Sequence, residues 1–275
     1  MPFLLLLPAL LAALLATPGW AQRAGDVLIE AGWLHSIPQA DNGAPRNTLR
    51  PNPLFPLLGV QSEFRSEGID IDADTLNTFA LVGQYFLTAD WSVRLVVGYP
   101  PKGSIDGSGT VQATGPLGTV LRIDLSEPQF NPIGSARQWV PALMLAYHFR
   151  PPDAAWRPYL GAGLSYAFFS EVELNDTLED ETRRRFGVPL ALSAGIPGPT
   201  RLTSEVESTV APAVGAGVRW HLDEAWSLSA GIDFIALETD AVVRLLASDG
   251  TELGLSRTRL RFHPVNISLL AGYRF

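Results

Sequence analysis

The histidines are the first side chains to consider as catalysts, because an imidazole can serve as a general base or as a metal ligand near neutral pH. The four histidines are His35, His148, His221 and His263. Their separation along the chain is not the spacing of a zinc site. The sequence has no Gly-x-Ser-x-Gly motif and no cysteine, so two common signatures of a nucleophile are missing. We therefore expect no enzymatic activity and no cofactor, although a Ser-His-Asp arrangement can still assemble in space.

Two charged patterns have residue types that bind ions. Asp70, Asp72 and Asp74 alternate, so a strand would place their carboxylates on one face. The glycine and glutamate of a calcium-binding EF-hand loop are not in register with them. The three arginines at 183–185 suit the phosphates of lipopolysaccharide. Because acidic residues at 179–181 precede them, we favour a solvated charged loop.

The composition excludes several classes of protein. The chain has 275 residues and a formal net charge of -8, and 47% of its residues are hydrophobic while only 17% are charged. A disordered chain would be more charged and less apolar. The acidic balance disfavours a nucleic-acid partner. The absence of cysteine excludes a disulfide scaffold.

The first part of the chain is typical of an export signal. Residues 3–16 form an apolar run interrupted by Pro8, and Gly19 and Ala21 give the small-x-small pattern of a signal-peptidase site. We predict a signal peptide over residues 1–21 and a mature chain over residues 22–275. The alternative is a single membrane anchor, but about 15 apolar residues fall short of the roughly 20 that a spanning helix needs.

The mature chain alternates with the period of two that is typical of β-strands. Leu143, Leu145 and Tyr147, for example, would share one face of a strand. The opposite faces carry many small residues, such as Gly161 and Gly163, which suit the crowded interior of a narrow barrel. Eight such segments have about the length that a tilted strand needs to cross a bilayer. They begin near residues 27, 79, 91, 143, 160, 214, 226 and 265.

The connections between these segments indicate which face is outside. The short connections are 88–90, 151–155 and 223–225, and the long ones are 36–75, 100–137, 170–207 and 238–258. Outer-membrane barrels have short periplasmic turns and long external loops, whereas a lipocalin-like soluble barrel has no reason to separate loop lengths by end. A sheet in lipid must also close to satisfy its backbone. We therefore predict an all-β fold, a closed eight-stranded antiparallel transmembrane β-barrel with four long external loops.

The last strand carries a further signal. It ends with Tyr273 and Phe275, an aromatic pair two residues apart at the end of an amphipathic segment. This pattern resembles the assembly signal of bacterial outer-membrane barrels. It implies the bacterial outer membrane as the location. The implied partners are the barrel-assembly machinery, outer-membrane lipid and lipopolysaccharide.

Several stretches resemble the family of outer-membrane protein W, OmpW. The most specific match is residues 157–166, Arg-Pro-Tyr-Leu-Gly-Ala-Gly-Leu-Ser-Tyr. Residues 24–32, 77–86, 233–241 and 264–275 also resemble family strands, whereas the loops match poorly. The resemblance implies passive conduction of small hydrophobic molecules, through a mostly apolar bore with a side opening in the barrel wall.

The predicted inward faces contain both apolar and charged side chains. The apolar candidates for the lining of the bore are Leu28, Val82, Phe86, Val96, Ile235 and Leu270. The polar candidates are Glu30, Arg94, Arg219 and Asp233. Because an eight-stranded barrel is only just wide enough for its own side chains, the residues alone leave two readings open. One is a conduit, which the resemblance favours, and the other is a receptor or structural barrel with a plugged interior whose external loops bind a partner.

Three prolines lie in or beside the predicted strands. Proline donates no ladder hydrogen bond and is confined to edges, strand starts or bulges. For Pro264 we favour a strand start without a function. For Pro141 and Pro212 we predict gaps in strand pairing that let an apolar solute leave the bore sideways into lipid, a hypothesis that unbroken pairing would contradict.

Overall fold

The computed structural model describes residues 22–39, 43–53, 55, 57, 59–113, 115 and 121–275. The predicted signal peptide at residues 1–21 therefore lies outside the described residues. Among the residues that are described, no helix is both long and apolar enough to cross a membrane.

The described residues form eighteen strands, three short helices and one 3-10 turn. The strands are β1 (Val27–Ile37), β2 (Arg46–Leu49), β3 (Glu63–Arg65), β4 (Asp70–Ala73), β5 (Leu76–Phe86), β6 (Trp91–Gly98), β7 (Lys102–Ser108), β8 (Thr110–Gln112), β9 (Arg122–Asp124), β10 (Gly134–Trp139), β11 (Ala142–His148), β12 (Trp156–Leu174), β13 (Arg201–Val206), β14 (Thr209–His221), β15 (Trp226–Ile235), β16 (Glu238–Leu246), β17 (Glu252–Arg261) and β18 (Val265–Arg274). The helical segments are Pro128–Phe130, Asp176–Thr182, a π-helix Arg183–Gly187, and Val188–Ser193.

Eight of the strands close into an antiparallel barrel. In chain order these are β1, β5, β6, β11, β12, β14, β15 and β18, and each pairs with the next along the chain. The barrel closes where β1 pairs with β18, from Leu28 opposite Arg274 to Ile37 opposite Val265. The predicted closed eight-stranded antiparallel barrel is confirmed. We call the end with the short connections the turn end.

The outer surface of the barrel is apolar, as the alternation predicts. Leu143, Leu145, Leu160 and Leu164 are each between 45% and 58% exposed. Met144, between Leu143 and Leu145 on β11, points inward and is buried. The exposed leucines therefore form the surface that contacts the hydrocarbon of the membrane.

An arginine on this surface is expected to destabilise the barrel. Leu145→Arg places a charge against the middle of the bilayer and should lower the free energy of unfolding by about 2–4 kcal/mol. Urea unfolding in lipid vesicles, followed by tryptophan fluorescence, measures the change. Thr203→Arg, on an exposed position of β13 outside the barrel, is the matched control and should change little. Equal stability of Leu145→Arg and the unmodified chain would mean that the outward face is assigned wrongly.

The four long connections are folded, which the sequence did not indicate. The barrel sheet continues from the C-terminal part of β12 into β10, β7 and β4. A separate five-stranded sheet is formed by β13, β16, β17, β2 and β3. Their side chains share one apolar core, which includes Leu49, Phe64, Ile123, Phe186 and Leu253. We call residues 38–75, 99–140, 168–208 and 236–264, as far as they are described, the cap. It covers the end of the barrel opposite the turn end.

Candidate functional site

A buried charged cluster fills the turn end of the bore. The Glu30 carboxylate accepts a hydrogen bond from Arg219 at 3.0 Å and another from the Ser229 hydroxyl at 2.7 Å. Arg94 lies 4.0 Å from the same carboxylate, and Arg219 also donates to the side-chain oxygen Oε1 of Gln84 at 2.6 Å. Glu30, Arg94 and Arg219 are each no more than 2% exposed. They come from β1, β6 and β14, which are not neighbours in the sheet, so the cluster ties distant parts of the barrel wall together.

Gln84 links this cluster to His148. Its amide nitrogen donates to the Ser92 hydroxyl at 2.6 Å and lies 2.8 Å from Nε2 of His148. The Ser92 hydroxyl lies 2.9 Å from the same nitrogen, and the Phe86 ring packs on the imidazole at 5.1 Å between centroids. A serine beside a histidine is the contact of a catalytic pair. Here both residues are fully buried and Gln84 shares the ring nitrogen.

Arg157 closes the mouth of the bore at the turn end. It is fully buried, and it donates to the Ala89 carbonyl at 2.9 Å, to Asp90 at 2.9 Å and to the His148 carbonyl at 3.1 Å. It also donates to the side chain of Gln22, at the start of the described chain. These bonds hold the 88–90 turn, the end of β11 and the first described residue against one guanidinium group. Arg157 is not among the bore residues that the sequence predicts, although it shares the inward face with Tyr159 two residues later.

Tyr159 adds a second layer above this mouth. The Arg94 guanidinium lies 4.4 Å from the centre of the Tyr159 ring, a cation–π contact. The Tyr159 hydroxyl lies against Gly217 and Gly231, and a Cβ on Gly217 would overlap it. The absence of side chains at these two positions leaves the space that the ring occupies. The turn end of the bore is therefore closed by side chains in contact with one another.

Four of the six predicted apolar bore residues lie in this closed part or just above it. Leu28 lies opposite Gln84 in the strand pairing, and Phe86 contacts His148. Val82 and Leu270 form a small apolar cluster on the side toward the cap. All four are buried inside the barrel, and they fill the bore there.

The remaining two apolar candidates line a cavity of about 100 Å³ near the cap. Val96 and Ile235 belong to its wall, together with Leu34 and Met144. Asp233 also faces this cavity, and its carboxylate interacts electrostatically with Arg94 of the charged cluster. The bore thus has a closed half at the turn end and a partly open, mostly apolar half near the cap.

The barrel wall has a gap in pairing beside this cavity. The β6–β11 pairing ends with Val96 opposite Ala142, and the β7–β10 pairing begins only with Lys102 opposite Arg137. Between these pairs, no backbone hydrogen bond joins residues 97–101 to residues 138–141, all of which the structure describes. Residues on both sides of the gap line the cavity. Pro141 lies at this gap, with its carbonyl accepting a hydrogen bond from Tyr166 on β12.

Pro212 does not interrupt the pairing between β14 and β12. It lies opposite Leu164 in a register that runs without a break from Trp156 to Ala167. Its carbonyl accepts from the Ala236 amide at 3.0 Å, so its backbone polar groups face β15, where the β14–β15 pairing ends at Ile235. The missing N–H therefore costs no ladder bond with β12. The predicted gap at Pro212 is not found on that side.

The other candidates from the sequence lie apart from the bore. Among the described residues, no group of three His, Asp or Glu side chains could hold a metal ion. The arginines at 183–185 form ion pairs with acidic residues at 179–181, which fits a solvated charged segment. Tyr273 and Phe275 stack edge to face at 4.9 Å at the turn end, and the Phe275 amide donates to the Val27 carbonyl. Their role as an assembly signal stays a prediction.

Comparisons with known proteins agree with this architecture. The model of the OmpW family matches residues 57–275. Outer membrane protein W of Vibrio cholerae is 24% identical over 267 residues, which cover 97% of this chain and 96% of that protein. The crystal structure of OprG from Pseudomonas aeruginosa superposes with a TM-score of 0.65 at 17% identity, covering 93% of this chain and 98% of that one. The solution structure of outer membrane protein W from E. coli has a TM-score of 0.48 at 20% identity, covering 92% and 100% of the two chains.

Proposed function

Because the chain belongs to the OmpW family and is a β-barrel of the bacterial outer membrane, we propose that it conducts small hydrophobic molecules passively into that membrane. The molecules pass from the cap into the bore and leave sideways into lipid. The observation that carries this proposal is the mostly apolar cavity of about 100 Å³ beside the unpaired segments 97–101 and 138–141.

The closed turn end supports a sideways route over a straight one. A molecule that continued along the barrel axis would have to displace the buried ion pair of Glu30 and Arg219 and then Arg157. An apolar molecule offers these charges no hydrogen bonds, so that route is costly. At the gap between residues 97–101 and 138–141, by contrast, no bond joins the two backbones, and one hydrogen bond from the Arg137 guanidinium to the Pro100 carbonyl at 3.2 Å spans the opening.

A ring inserted into the cavity is expected to abolish this conduction. Ala142 is 6% exposed, lines the cavity and ends the β6–β11 pairing, so Ala142→Phe places a phenyl ring in the cavity beside the gap. Leu143→Phe, one residue further on the lipid-facing side, is the matched control. We expect cells that produce the unmodified chain or Leu143→Phe to take up radiolabelled toluene faster than cells without the protein. Ala142→Phe should return uptake to the level of cells without it.

The readout separates conduction from the alternative. Heat-modifiable migration on a gel first establishes that each variant is folded. If cells with and without the unmodified chain took up toluene at the same rate, the proposal would be wrong. The reading as a receptor or structural barrel with a plugged interior would then be favoured. If Ala142→Phe conducted like Leu143→Phe, the cavity would not be the route.

The cap surface supports lipopolysaccharide as a partner in the same proposal. Arg46 on β2 lies directly between Arg65 on β3 and Arg257 on β17 in the strand pairing. Arg257 already pairs with Glu207 and Asp240. Arg46 and Arg65 are exposed, and like charges opposite each other are destabilising without an anion between them. Phosphate groups of lipopolysaccharide fit such a row, because guanidinium groups bind phosphate in a bidentate manner. We further propose Tyr273 and Phe275 as the signal read by the barrel-assembly machinery.

A further inference from the structure

The cap contains an apolar cavity of its own, separate from the bore. It has a volume of about 180 Å³ and lies among all four long connections. Its apolar wall includes Leu49, Phe64, Ile123, Phe186, Leu202 and Leu245. Residues this far apart in the chain meet there because β13 pairs with β16 and β17 pairs with β2. The cavity is therefore a product of the folded cap and does not exist in any one loop.

The polar groups around the cavity are few and mostly occupied. Asn47 donates to the Ser66 hydroxyl at 2.8 Å, and the Thr182 hydroxyl donates to the Leu178 carbonyl at 2.7 Å. Glu179 is held near Arg183 at 3.8 Å. A polar ligand would find little hydrogen bonding in return for its lost water, whereas an apolar ligand loses none. The lining thus selects an apolar occupant.

The volume sets the size of that occupant. A dry cavity of about 150 Å³ lined by leucine, isoleucine and phenylalanine side chains is known to hold one benzene molecule. A cavity of about 180 Å³ with a similar lining has room for a benzene ring with one or two methyl groups, or for a short alkyl chain. Larger ring systems would require the cap to expand.

We propose that the cap cavity is a binding site for one small apolar molecule of about the size of toluene, and that it captures this molecule before the bore receives it. That capture in the cap comes before entry into the bore rests on the proposed conduction, whereas binding in the cap does not. A hollow of about 50 Å³ is lined by Leu260 and Phe262 of the cap. That hollow shares Leu76 and Gln138 with the cavity beside the gap. The hollow and the cavity beside the gap therefore adjoin each other where the cap meets the barrel.

Binding can be measured at a single thiol, because the chain has no cysteine of its own. Leu202 lines the cavity on β13 and pairs with Leu245, whereas its neighbour Thr203 is exposed on the opposite face. Leu202→Cys and Thr203→Cys, each in the full chain in lipid nanodiscs, are labelled with a water-soluble maleimide with and without toluene. Toluene at about ten times its Kd should slow labelling at position 202 about tenfold, since the empty fraction falls to about a tenth. Labelling at position 203 should not change.

The outcomes separate this inference from the proposed function. Unchanged labelling at position 202, or equal slowing at both positions, would refute the cap site. If Leu202→Cys does not fold, Val243→Cys reports from the β16 side of the same cavity. In the uptake assay, Leu202→Trp should lower toluene uptake at low concentration at least several-fold, while Thr203→Trp should not. Protection of the thiol without any uptake by the unmodified chain would keep the binding site and refute the conduction.

Discussion

Glu30→Ala is expected to lower the free energy of unfolding by about 3–5 kcal/mol, because it leaves two buried arginines without their carboxylate. Arg219 loses its bond at 3.0 Å and Arg94 its counter-charge at 4.0 Å, in a part of the bore that solvent does not reach. Ser229 also loses its acceptor. Urea unfolding in lipid vesicles, followed by tryptophan fluorescence, measures the loss. Glu30→Gln keeps a hydrogen-bond acceptor without the charge, so its free energy of unfolding should lie between those of the unmodified chain and Glu30→Ala.

A triple variant tests whether the loss comes from the uncompensated charges. Replacing a whole buried ion cluster by apolar residues of similar volume is often neutral for stability. Glu30→Leu combined with Arg94→Met and Arg219→Met should therefore recover most of the stability that Glu30→Ala loses. If Glu30→Ala were as stable as the unmodified chain, the carboxylate would not be what holds the two arginines in the bore.

Gly32→Ala is expected to disrupt the closure of the barrel. Gly32 on β1 lies opposite Leu270 in the β1–β18 pairing. The two strands approach each other so closely that a Cβ at position 32 would overlap the Leu269 carbonyl oxygen. The same Cβ would lie 2.9 Å from the Leu270 Cα. Because backbone atoms cannot move aside as a flexible side chain does, the pair must separate. We expect a loss of about 3 kcal/mol in unfolding free energy and a smaller folded fraction on a heat-modifiability gel.

Gly83→Ala is the matched control for this effect. Gly83 lies on β5 opposite Ile29 of the same β1 strand. The nearest atom to a Cβ at position 83 is the Ile29 Cδ1, at 4.0 Å, an ordinary contact. The alanine should therefore fold as well as glycine, or gain up to about 1 kcal/mol from its smaller loss of backbone freedom. Equal behaviour of the two alanine variants would mean that β1 and β18 are not packed as closely as the structure shows.

Period-two alternation together with the separation of short and long connections was sufficient to predict the barrel, because every wall strand has one face in lipid. The same period placed Glu30, Arg94 and Arg219 among the inward residues. Their hydrogen bonds could not be predicted, because these depend on the register of strands up to 199 positions apart in sequence. Arg157 shares its face with Tyr159, so continued alternation would have identified it. Pro141 and Pro212 looked equivalent in the sequence, and only the pairing partners of each strand distinguish them.

The cap escaped prediction for a different reason. Strands such as β2 and β3 have only four and three residues, which is too short for a period of two to be recognised. Their stability comes from partners in other connections, such as Leu49 opposite Gly254. The third connection also contains short helical segments, where Asn175 caps the first by accepting from the amides of Thr177 and Leu178. Local sequence carries little of this arrangement.

The distance in sequence between the paired strands of the cap also affects when its apolar core forms during folding. β2 pairs with β17, about two hundred residues later, and contacts between such remote segments form late and slowly. β17 directly precedes β18, the final wall strand, so the apolar core of the cap is completed only when the last of the four long connections joins the first. The apolar side chains of the first connection, including Leu49 and Phe64, are therefore fully buried only when the last connection has joined them.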